Sequence, residues 1–158
     1  MKEIPKTLGE LLVAVVKDCK HVEKLKTVSF DMTHWMKRRD PEGKTCNVCM
    51  AGAYLRQSRG VRLPDGESYL DLFSLPRRMV NVCCAINSVR LGQVRDAIFS
   101  FYRQEGYDFA QQKFLLLASE GGYRATLQRI EDEYWLGTYH ASWEAYLELA
   151  KLLKKHGI

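Results

Sequence analysis

The sequence predicts a mainly α fold, a compact multi-helix single domain spanning residues 1–158, with room for one small β-hairpin. Three observations point there. Apolar residues recur at three- and four-residue spacing over most of the chain. Cap and breaker residues (Thr7, Pro41, Gly92, Gly121-Gly122, Gly157) cut that pattern into segments of ordinary helix length. At 158 residues, with 46% hydrophobic and 27% charged, the chain can bury one substantial core and is not of disordered composition.

Thr7-Leu8-Gly9-Glu10 has the form of a capping box, and Leu8, Leu11, Leu12, Val15, Cys19 and Val22 follow on one face, predicting a helix over 8–24. Val28, Phe30 and Met32 alternate with Ser29, Asp31 and Thr33, the period of a short strand. Asp40-Pro41-Glu42-Gly43 marks a loop. Thr45 or Asn47 can cap a second helix to about Ser58, and turn signals at 58–60 and 64–66 bracket an extended piece, Val61 to Leu63, a candidate hairpin partner for 28–32. Tyr69 to Phe73 suggests one helical turn, and Pro76 suits the start of the next helix, striped by Met79, Val80, Cys83, Ile86 and Val89 until Gly92. Val94, Ala97, Ile98 and Phe101 continue in a helix ending by Gly106. Asp108 can cap another, running to Gly121-Gly122. Helices from Tyr123 to Leu136 and from Ser142 to Lys155 complete six or seven in all.

No apolar run approaches the ~20 residues of a membrane helix, and the beginning Met1-Lys2-Glu3-Ile4-Pro5 has no signal-peptide core, so the expectation is a cytoplasmic protein with no membrane partner. Five cysteines (Cys19, Cys46, Cys49, Cys83, Cys84) without a secretory leader imply reduced thiols.

Cys46-Asn47-Val48-Cys49 has the spacing of half a zinc site, but no second CxxC or HxxxH accompanies it; His34 and Cys83 or Cys84 complete one only if folding gathers them. No βαβ pattern supports a redox pair. The reading adopted is structural: on a helix, Cys46, Cys49 and Ala53 share a face, and Gly52 admits a neighbouring backbone. A cysteine nucleophile needs a positioned histidine, and His34 and His140 carry no sign of one. Glu131-Asp132-Glu133 are consecutive on a helix and point apart, a solvated acidic face rather than a catalytic pair. The expectation is no metal, no cofactor and no catalytic residue.

Net charge is +5, and the stretch 36–62 carries it: Lys37, Arg38, Arg39, Lys44, Arg56, Arg59 and Arg62 against Asp40 and Glu42. A localised basic region calls for an acidic partner, protein or nucleic acid. With Trp35 at its edge and Tyr54 inside it, cations and aromatics together suit either a protein surface or single-strand stacking. No helix is expected to carry a continuous basic stripe.

The segment Phe30-Asp31-Met32-Thr33-His34-Trp35, then Cys46-Asn47-Val48-Cys49-Met50-Ala51-Gly52-Ala53, and the later Ala85-Ile86-Asn87-Ser88-Val89-Arg90-Leu91-Gly92, resemble stretches of small uncharacterised accessory proteins of tailed phages and prophages. The resemblance implies a phage accessory product acting in the host cytoplasm. It carries no catalytic residues. Together these readings predict a non-catalytic protein that binds and modulates a host protein, a nuclease or defence factor, through its basic region. The alternative is a nucleic-acid-binding module using the same residues.

Overall fold

Thr7 opens the first helix, α1 (Leu8–Val22), its hydroxyl accepting the Glu10 amide at 3.2 Å. First-turn amides have no partner inside their own helix, and the other two here are met from far along the chain. Leu8 N–H donates to the Tyr102 hydroxyl at 3.2 Å, and Gly9 N–H to the Ile158 carbonyl at 2.8 Å. The computed structural model describes residues 3–30, 36–38, 46–63, 67, 69–135 and 143–158.

The apolar stripe of α1, from Leu8 through Leu12, Val15 and Cys19 to Val22, is buried between α2 (Met50–Ser58) and α7 (Trp143–Lys155). α3 (Arg77–Arg90) packs on α2 and on α4 (Val94–Phe101); α5 (Tyr107–Ala118) follows α4, and α6 (Tyr123–Trp135) packs on α7. The fold is mainly α, with seven α-helices among the described residues and one continuous apolar core.

Two helix ends show why the predicted boundaries hold. After α3, Gly92 takes φ +77°, its amide reaching the Val89 carbonyl at 3.0 Å while Gln93 N–H reaches Ser88 at 2.8 Å. After α7, Gly157 takes φ +67°, its amide bonding Lys154 at 3.1 Å while Ile158 N–H reaches Leu153 at 2.9 Å. Both are paired C-terminal bonds of the left-handed kind that glycine makes without a Cβ clash. Ile158 and Leu153, both fully buried, supply the apolar contact that accompanies such an end.

The strands depart from expectation. β1 (Val28–Phe30), β2 (Met36–Arg38) and β3 (Cys46–Val48) form a sheet in the order β1-β3-β2, with β1 parallel and β2 antiparallel to β3. The small hairpin is therefore β2–β3, joined through the predicted loop at 40–43, which lies outside the described residues with 31–35. Residues 61–63 form no strand, and Val28–Phe30 pairs with Cys46–Val48 instead. The second helix correspondingly begins at Met50, not near Thr45. As the central strand, 46–48 makes ladder bonds on both sides, and Val28, Met36 and Val48 bury the sheet's inner face at 3%, 1% and 0% exposure. One helical turn offers that segment less.

Smaller corrections concern caps. The turn over Leu72–Ser74 is a 3-10 turn capped by Asp71, whose carboxylate accepts the Phe73 amide at 2.9 Å. Asp108 lies inside the first turn of α5, and Gly106 holds the capping position.

Candidate interface

The CxxC pair is resolved by the strand-to-helix junction it spans. Cys46 sits in β3, while Cys49 caps α2, its sulfur accepting the Gly52 amide at 3.5 Å. The face shared by Cys46, Cys49 and Ala53 is thus not formed, because a strand and a helix meet between the two cysteines. Met50 to Leu55 are all buried. Burial pushes the Cys19, Cys49 and Cys83 thiols up from their ordinary values, so all three stay protonated at neutral pH, the wrong state for a nucleophile. Among the described residues no three His, Cys, Asp or Glu side chains gather where a metal ion could sit; His34 and His140 lie outside them.

The acidic run 131–133 splits as its helical spacing implies. Asp132 accepts from the Gln128 side chain at 2.7 Å, while Glu131 lies against the α3–α4 turn at Gly92.

The basic residues fare unequally. Trp35, Arg39 and Lys44 lie outside the described residues, as does the side chain of Arg38 on β2. Lys37, also on β2, places its ammonium 5.6 Å from the centre of the Tyr69 ring, where Tyr69 pairs with β2. Arg62 turns back on α2, its guanidinium donating to the Arg56 carbonyl at 2.9 Å and the Val61 carbonyl at 3.0 Å, an end where carbonyls lack helical partners. Arg56 and Arg59 are half-buried. Tyr54 is 1% exposed, its ring in the core and its hydroxyl pushed up by burial. It cannot stack on a base or a partner, and its place in the predicted surface is corrected: position 54 falls on the inner face of α2, with Met50 and Leu55.

A second cationic face was missed. Lys17, Lys20, His21 and Lys24 are all exposed along α1 and its C-terminal end, recurring at i, i+3, i+4 and i+7. With Val13, 40% exposed, and Leu147 of α7, they line an open concavity of about 420 Å³. Within α1 these are Lys17, Lys20 and His21, and Lys24 follows just past the helix end.

No protein family, curated protein or solved structure matches the chain.

Two acids near the stripe are engaged elsewhere. Asp18 accepts the Ser58 hydroxyl of α2, and Glu23 accepts the Trp143 indole N–H at 2.8 Å. Their charges are drawn toward α2 and α7, and the lysines are left on the outer side. Among the described residues no helix is long and apolar enough to cross a membrane.

Proposed function

We propose that the protein is a non-catalytic binding protein of the tailed-phage accessory type, which engages an acidic surface of a host protein, a nuclease or defence factor, in the host cytoplasm. The observation that carries this reading is the outer face of α1. Lys17, Lys20 and Lys24 rim an apolar floor of Val13 and Leu147. An apolar centre with a charged rim is the anatomy of a protein interface, and an acidic partner supplies the missing charges. Lys37 and Arg62 add cations from the stretch 36–62, though Arg62 also braces the end of α2.

The nucleic-acid reading keeps one observation in its favour. Phe73 is 94% exposed and Tyr69 52% exposed, with Lys37 over the Tyr69 ring. An exposed aromatic ring beside a cation offers a stacking platform.

Tagged full-length protein, incubated with bacterial lysate and treated with nuclease, tests the two. The expected result is a stoichiometric host protein that survives nuclease and is lost when Lys17, Lys20 and Lys24 are together changed to Glu. Recovery of nucleic acid alone, lost on nuclease treatment, overturns it. So does a triple variant that retains the same protein at wild-type yield.

A further inference from the structure

α1 and α7 run antiparallel. Gly9, at the start of α1, lies against Ala150 and Lys154 near the end of α7, while Glu23, just past α1, accepts the indole N–H of Trp143 at the start of α7. The concavity beside them is therefore a groove along two helices, with Val13 of α1 and the half-buried Leu147 of α7 in its floor.

The two walls differ in charge. On the α1 side, Lys17, Lys20 and Lys24 make no ion pair among the described residues. Glu10, seven residues before Lys17, bounds this cationic stretch. On the α7 side, Glu148 is bridged by Lys151 at 3.4 Å, and Glu144 stands beyond Leu147 in the next concavity, which Arg129 also lines. The α7 wall is thus close to neutral, and the unmatched charge lies on α1.

We propose that the segment docking in this groove is an amphipathic α-helix of the partner, with acidic residues along the one edge that faces α1. This rests on the reading of the α1 face as the host-protein interface. The walls select a helix. Neither offers a sheet edge, so an extended segment laid over Val13 and Leu147 leaves its own amides and carbonyls unpaired, whereas a helix brings its backbone bonds with it. From Val13 to Lys24 the α1 wall runs about 16 Å, about three turns of a docked helix. Along it Lys17, Lys20 and Lys24 recur at three- and four-residue steps, the steps at which acids recur on one edge of a helix. A nucleic-acid strand fits worse: its phosphates meet the lysines, but the apolar floor gives a polyanion no contact and Glu144 and Glu148 stand on the far side.

Three synthetic peptides of about fifteen residues, stapled where so short a helix needs it, test this by fluorescence anisotropy against the full chain. The first is a stapled helix with a leucine stripe and glutamates along one edge. The second is stapled and has the same composition, with the glutamates moved opposite the leucine stripe. The third is the first without its staple and with a central proline. The first is expected to bind at least about tenfold tighter than the others, and to lose at least about tenfold when Lys17, Lys20 and Lys24 are together changed to Glu. If far-UV dichroism shows that this variant fails to fold, alanine at the same three positions replaces it. Equal binding by the three peptides overturns the proposal, as does binding by none of them, or displacement of the first by a single-stranded oligonucleotide that binds more tightly. The underlying reading fails separately, when the triple lysine variant still captures the host protein at wild-type yield.

Discussion

Tyr102→Phe isolates one atom of the fold. The Tyr102 ring is 5% exposed and packs edge-on to Phe101 at 4.8 Å and tilted to Phe109 at 5.4 Å, contacts that phenylalanine keeps. What it loses is the hydroxyl that accepts the buried Leu8 amide at 3.2 Å. Stranding a buried backbone donor costs about 1–3 kcal/mol. In a chain of this length each kcal/mol lowers Tm by about 2–4 °C, so the middle of that range is about 4–8 °C. Urea unfolding measures it, and a second substitution shows whether the hydrogen bond is the cause. Leu8→Pro removes the donor at the first helical position, where proline is tolerated, although it sacrifices a buried leucine. In that background Tyr102→Phe has no amide to strand and is expected to cost less than about 0.5 kcal/mol, the range of substitutions that break no such feature. Equal costs in the two backgrounds, or a single-variant cost below that level, refute the argument that this hydroxyl satisfies the start of α1.

Gly92→Ala forces a side chain into φ +77° with its Cβ 2.7 Å from Glu131 Cγ; the left-handed conformation alone costs about 1–2 kcal/mol, and an unchanged urea midpoint contradicts this. Alkaline pH is expected to destabilise the protein. Burial raises the Cys19, Cys49 and Cys83 thiols and the Tyr54, Tyr102 and Tyr123 hydroxyls, so these groups ionise first in the unfolded chain. Stability is therefore full below about pH 8 and falls as pH climbs through the unfolded thiol and tyrosine values near about 8.5 and 10, by up to about 1.4 kcal/mol per pH unit for each ionised group; unfolding free energies that stay flat to pH 10 defeat this reading. Exhaustive dialysis against a chelator is expected to leave Tm unchanged, because Cys49 acts as a protonated helix cap; a fall in Tm that added zinc restores shows that the thiol serves a metal instead.

The helices were legible because each announces itself locally. Thr7 caps α1 through its neighbour Glu10, and Gly92 and Gly157 end α3 and α7 with bonds that span only a few residues. The sheet was not, because its logic is long-range. Val28 meets Cys46 eighteen positions on, and nothing in a window around 46–48 distinguishes a central strand from a helix that begins a few residues early. The CxxC spacing encouraged the wrong choice: it is half a helical turn pattern and half a metal motif, and the structure divides it between two elements at Val48 and Cys49.

The cationic face was obscured for a related reason. Counting charge along a window adds residues regardless of the side they face, and over Leu8–Val22 the lysines at 17 and 20 cancel the acids at 10 and 18. In three dimensions Asp18 is held by Ser58 and Glu23, just beyond the helix, by Trp143, side chains forty and one hundred and twenty residues away. The lysines, with no comparable inward partner among the described hydrogen bonds, stay on the surface with Val13 and Leu147. The opposite happens after α2: Arg62, which reads as a free cation in sequence, spends donors on the Arg56 and Val61 carbonyls. Charge is thus redistributed by which groups tertiary packing consumes. The proposed interface is accordingly sought on the outer side of α1, where Asp18 and Glu23 turn to Ser58 and Trp143.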